Sequence, residues 1–121
     1  MKVIIDLIED IRESIGNADD FVLHAGLLKE DRSDSSKLIY SGEAAIGTFS
    51  LDTDRKELLF TIGDNDTNIA IGELIPQLLI LGMDAMMYEL KIEVNAQYRD
   101  IEVIGFGKSN EEKSYILFIK L

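Results

Sequence analysis

The order of elements along this chain predicts an α+β domain. Two periodicities lead to that class. Leu7, Ile8, Ile11 and Ile15 recur at helical spacing, whereas Tyr88, Leu90, Ile92 and Val94 alternate with Glu89, Lys91, Glu93 and Asn95 as a half-exposed strand does. Strands and helices also come in blocks, not in repeated βαβ units. The expected order is α-β-β-β-β-α-β-β-β: antiparallel sheet or sheets, two helices packed on one face, and a C-terminal three-strand meander. With 121 residues and no linker-like stretch, one domain over 1–121 is expected.

Each element has its own signal. Asp6 with Glu9 three positions on reads as a helix start, and Gly16-Asn17 as its left-handed stop, so the first helix runs from Lys2 or Asp6 to Ile15. Met1–Ile5 also reads as a short strand. Phe21–Leu28 is apolar on both alternating faces, as a buried strand is, and Lys29–Lys37 is a polar loop. Leu38–Tyr40 and Ala44–Leu51 read as strand, interrupted at Ser41-Gly42-Glu43 by a bulge or turn. Asp52–Arg55 turns the chain, and Lys56–Ile62 returns with Leu58, Phe60 and Ile62 on one face.

The second half repeats this pattern only loosely, and no internal repeat is evident. Pro76 suits the first turn of a helix, which sets its start near Gly72. The helix ends at Gly82 or runs on to Met87; Gly82 is preferred because Tyr88–Val94 alternates so cleanly. Asp100–Gly107 and Lys113–Leu121 complete the meander. In the last strand Tyr115, Leu117, Ile119 and Leu121 share one face, and Ile116 and Phe118 the other. A strand this apolar, with no Pro and, beyond Lys113 at its start, only Lys120 charged, is poorly protected as an open edge. It is therefore expected inside the sheet, or covered in a two-fold homodimer through Ile116 and Phe118.

Composition removes several chemistries. There is no cysteine, so thiolate nucleophiles, disulfides and zinc–thiolate sites are out. A single histidine, His24, rules out multi-histidine metal centres, and its apolar strand suits a hydrogen-bonded structural role. Twenty-three acidic against 12 basic residues give a net charge of −11, which repels nucleic acid and anionic lipid. No apolar run is long enough to span a bilayer and the N-terminus does not read as a signal peptide, so a cytoplasmic location is expected.

No motif supplies a catalytic site or a cofactor. Gly107-Lys108-Ser109 resembles the tail of a phosphate loop, but the leading glycine position holds Glu102 and a turn follows. Asp64-Asn65-Asp66-Thr67-Asn68 begins like a calcium loop, yet Ile69 and Ile75 stand where Gly and Glu are needed; helix capping is expected and no metal. Glu43 and Asp84 have the most apolar surroundings among the carboxylates, but both fall at chain turns.

The first functional reading is a non-catalytic, acidic interaction domain of the inhibitor, immunity or secretion-chaperone kind, binding a basic protein. Its contact residues are Glu57, Asp64, Asp66, Glu73, Asp84 and Glu89, in a stretch with no Lys or Arg between Lys56 and Lys91. A second reading is a small-ligand or sensor module with a pocket between sheet and helices, using His24, Tyr40, Tyr88 and Tyr98. A third is a metal-assisted hydrolase built on Asp64 and Asp66, with Glu73 and Asp52 or Asp54.

Overall fold

The computed structural model describes residues 1–16, 20–63 and 68–121. The elements are α1 (Ile4–Ser14), β1 (Val22–Glu30), β2 (Leu38–Asp52), β3 (Glu57–Ile62), α2 (Ile71–Leu79), a 3-10 turn of helix at Met83–Met87, β4 (Glu89–Glu93), β5 (Ile101–Ser109) and β6 (Ser114–Lys120). The strands close into a barrel in sequence order. Four neighbouring pairs are antiparallel, and β3–β4 and β6–β1 are parallel.

This corrects the expected open antiparallel sheets. The meander β4–β5–β6 is present, but β3 meets β4 in parallel across the connection that holds α2, and β6, the last strand, meets β1, the first, in parallel. One strand fewer lies before α2. Leu38–Asp52 is continuous because the break at Ser41 is a bulge: Leu27 pairs with Gly42 and Leu28 with Tyr40, leaving Ser41 extra. The Ser41 hydroxyl donates to the Leu27 carbonyl at 2.9 Å, and Gly42 takes a φ of 141°.

α1 begins at Ile4, before Asp6. Lys2 and Val3 are held by β4, so the helix starts as soon as they are released, and the Asp6 carboxylate reaches back to accept the Val3 N–H at 3.0 Å. Valine has no side-chain oxygen with which to cap, and the Asp6 carboxylate takes that part at this terminus. Gly16 stops the helix at φ 59°. α2 starts at Ile71, which puts Pro76 in its second turn and leaves the Gly72 carbonyl without a helical donor. Gly82, at φ 88°, separates α2 from the 3-10 turn.

Inward side chains from both helices and all six strands form one core. Leu7, Phe60, Leu74, Ile92, Tyr115 and Leu117 are among its fully buried members. Leu90 and Ile92 point into it as the alternation predicts. Glu89, Lys91 and Glu93 are only half exposed because they lie flat in ion pairs, Lys91–Glu89 at 3.3 Å and Arg99–Glu93 at 2.6 Å.

The barrel has an internal two-fold relation. The Ile4 N–H donates to the Tyr88 carbonyl and the Leu90 N–H to the Lys2 carbonyl; the Ile71 N–H donates to Phe21 and the Leu23 N–H to Ile69. Ile4 and Ile71, Phe21 and Tyr88, Lys2 and Ile69, and Leu23 and Leu90 are each 67 positions apart. Pairing repeats with equal fidelity. His24–Ala45 corresponds to Lys91–Glu102, and Ala25–Ala44 to Ile92–Ile101. The bulge between Ile46 and Thr48 corresponds to the one between Val103 and Gly105. Lys56 and Lys113 both adopt positive φ at the matching hairpin ends. Where both halves are paired the register repeats, while the side chains match only faintly.

Candidate interaction surface

The two-fold relation allows each surface to be compared with its own counterpart. Where a fold imposes an apolar residue, both halves should carry one. Where only one half does, packing does not require it.

The corner formed by the end of α2 and the 3-10 turn is such a place. Leu79, Ile80, Met83 and Met87 are 54, 82, 88 and 69% exposed. Their counterparts, 67 positions earlier, are Arg12, Glu13, Gly16 and Asp20. The same corner of the barrel is thus polar in one half and apolar in the other. Isolated exposed apolar residues are ordinary, but four within nine residues of chain make a patch. The local cause is visible. Ile71, Leu74 and Leu78 form the buried stripe of α2, and Leu79 and Ile80 fall off it, after which Gly82 turns the methionines outward. Beside the patch, Lys56, Asp84, Met87 and Tyr88 line a cleft of about 460 Å³.

The acidic contact residues expected from sequence differ in exposure. Glu73 and Asp84 are exposed, on α2 and the 3-10 turn, and flank the apolar corner. Glu89 is half exposed and paired with Lys91. Asp64 and Asp66 lie outside the described residues, as does the turn read as a capping or calcium-like loop apart from Asn68. Glu57 is a correction: it is 5% exposed, in register with Glu89 across the parallel seam, and cannot meet a partner. Burial pushes its carboxyl pKa above the ordinary carboxylate value, against the pull of Arg55 at 3.5 Å. Sequence patterning could not anticipate this, because the turn before it is polar and the charge stands at the first residue of the strand.

A second region lies on the outer face of β1, β2, β5 and β6. His24 Nδ1 and Glu43 Oε2 are 3.1 Å apart, so the imidazole is hydrogen-bonded as expected. Desolvation first, and then Glu43, raise the pKa of the neighbouring Tyr40 hydroxyl. His24, Glu43, Ala44, Ala45 and Asn68 surround an open pocket of about 330 Å³. Tyr88 and Tyr98 are elsewhere, in the cleft beside Met87 and on the β4–β5 turn, so the four residues proposed for a ligand pocket do not converge. Among the described residues no group of three or more His, Asp or Glu side chains is placed to hold a metal ion. Asp52, a candidate ligand, instead accepts the N–H groups of Asp54 and Arg55 in its hairpin turn, both at 3.0 Å.

Phe118 and Ile116 face outward on β6, whose two edges are paired with β1 and β5. The strand is interior, one of the two arrangements expected. Ile116 is buried, and Phe118 rests on Gly26 and Gly107 with Tyr40 edge-on at 6.3 Å. Gly107-Lys108-Ser109 belong to β5, and a hairpin follows, so no phosphate loop is formed.

No protein-family model, curated protein or solved structure matches this chain. No helix among the described residues is long and apolar enough to cross a membrane.

Proposed function

We propose that this protein is a non-catalytic interaction domain whose apolar corner, Leu79 to Met87, receives a basic, amphipathic segment of another protein. One observation carries the reading: the corner is apolar in one half and polar at the matched place in the other, so the barrel itself does not demand it. Methionine suits such a surface, since its flexible thioether chain adapts to different apolar anchors. Glu73 and Asp84 flank it, and no Lys or Arg occurs between Lys56 and Lys91. A partner with apolar anchors framed by Lys or Arg therefore meets charge of the opposite sign, which speeds and orients association. A cytoplasmic setting accords with the absence of cysteine.

The halves supply their own control variant. Ile80→Glu with Met87→Asp installs the residues that the first half carries at the same places, so folding should be preserved. A synthetic amphipathic Leu/Lys helix serves as probe, with a Leu/Glu helix of equal length as control, followed by calorimetry. The Leu/Lys peptide should bind the wild type, weaken at high salt, and lose at least tenfold in affinity with the double variant. Failure of the wild type to prefer Leu/Lys over Leu/Glu, or equal binding by the variant, overturns the proposal.

A further inference from the structure

Among the described residues, the two halves differ in the length of one strand pair. In the second half the β4–β5 pairing ends at Ile92–Ile101. In the first half the matching β1–β2 pairing passes Ala25–Ala44 and continues through Gly26–Glu43, Leu27–Gly42, Leu28–Tyr40, Lys29–Ile39 and Glu30–Leu38. The chain from Leu23 to Asp52 is accordingly ten residues longer than its counterpart, Leu90 to Ser109. Closing the barrel does not need this arm, since the other half closes without it.

The arm also has an open edge. β2 pairs with β1 along Leu38–Ala45, and β3 joins its other side only from Ile46 onward. Among the described residues no strand covers that second side at Leu38–Tyr40. Leu38, Ile39 and Tyr40 are exposed large apolar residues, 42 to 51% accessible, carried by a strand with neither charge nor Pro at those three positions. Natural edges normally carry such protection, and an edge without it is a template for another strand.

We infer that the arm is a self-association surface: two copies join edge to edge at Leu38–Tyr40, antiparallel about a two-fold axis beside Ile39. Leu38 of each copy then lies against Tyr40 of the other, and Tyr40 extends the apolar surface onto Phe118, whose ring it already meets. Charge selects a second copy as the occupant. The whole chain carries −11, so two copies repel over most of their surface. Residues 29–43 are the exception: Lys29, Arg32 and Lys37 nearly balance Glu30, Asp31, Asp34 and Glu43. Like copies can approach there with little repulsion, whereas a strongly basic partner finds no excess of negative charge to attract it. A two-fold edge contact is self-complementary and closes at two chains.

Because the chain has no cysteine, single-cysteine variants report proximity without background. The mass of the full-length wild type in solution, measured by light scattering over a range of concentrations, should reach that of two chains. Ile39→Cys should oxidise to a covalent dimer much faster than Met83→Cys, which lies at the other apolar corner. Leu38→Lys with Ile39→Lys should be monomeric with an unchanged circular dichroism spectrum. A wild type that stays monomeric at every concentration, a dimer that survives the two lysines, or faster cross-linking of Met83→Cys than of Ile39→Cys each overturns the inference. If the lysine variant fails to fold, the cross-linking rates still decide.

Discussion

The ring of Phe118 occupies the space that a side chain at Gly26 would need: a Cβ built on Gly26 stands 2.7 Å from it. Gly107 on the opposite neighbouring strand is under the same ring, at 2.6 Å. The two glycines thus form the floor on which an outward-facing aromatic lies flat. Gly26→Ala should cost about 1–3 kcal/mol, as overpacking of a close contact does. Phe118→Ala should remove only part of that penalty when combined with it, because Ile116 Cγ2 stands equally close to the Gly26 position, at 2.7 Å; a double-mutant cycle by urea denaturation reads the coupling. Additive costs would show that the Ile116 methyl, not the Phe118 ring, sets the penalty.

The Tyr115 hydroxyl is carried through the core to donate to the Asp10 carboxylate on α1 at 2.6 Å. Desolvation, with the hydrogen bond second, pushes its pKa up, so it remains a donor throughout the ordinary pH range. Tyr115→Phe should cost about 1.5–3 kcal/mol, the range for a hydrogen bond to a charged group. Asp10→Asn should cost less, because the amide oxygen still accepts. Thermal denaturation of the two variants checks the order.

Glu57 should make stability depend on pH in the reverse of the usual carboxylate sense. Its folded pKa is raised above the unfolded value of 4.5, chiefly by burial, so the folded state holds this proton more tightly than the unfolded chain does. The ionised side chain therefore penalises folding fully above the folded pKa, and the penalty vanishes below 4.5. Glu57→Gln should raise Tm by a few degrees at neutral pH, with a gain that disappears on acidification through that window. A gain independent of pH would mean that loss of the Arg55 contact or repacking, not ionisation, is responsible.

Ser114 occupies the place in the second half that Glu57 occupies in the first, and its hydroxyl is buried with no hydrogen-bond partner among the described residues. An unpaired buried hydroxyl costs about 1–3 kcal/mol on the protein scale. Ser114→Ala should therefore leave stability unchanged or raise it, as measured by urea midpoint. A loss above about 1 kcal/mol would reveal a partner for the hydroxyl.

What the sequence made legible was local. Gly16 and Gly82 ended helices where expected, the hairpins at Asp52 and Ser109 turned on their polar residues, and Leu90 and Ile92 pointed inward. Barrel closure was not legible, because it depends on pairing Glu57–Thr61 with Glu89–Glu93 and Val22–Leu28 with Ser114–Lys120, and parallel partners separated by a long connection leave no turn signature. The repeat is hidden in the sequence for a related reason: Phe118 corresponds to Thr61 and His24 to Lys91, so backbone equivalence survives while residue types diverge. The apolar corner had a signal that was open to reading. Leu79 and Ile80 exceed what one buried stripe through Ile71, Leu74 and Leu78 can hold, and surplus apolar residues on a helix need another destination.

The crossed ties between halves set the order in which this chain can mature. α1 is anchored by residues ahead of it to β4, α2 to β1, and β1 completes its pairing only with β6. During synthesis the first strand must wait, one side unpaired, until β6 has emerged, and neither half can satisfy its own backbone while the other is missing. Such dependence on distant contacts makes folding slow and all-or-none. It also means that a chain cut in the connection between Ile62 and Asn68 would yield two fragments, each unable to hold a structure by itself and each the template on which the other folds.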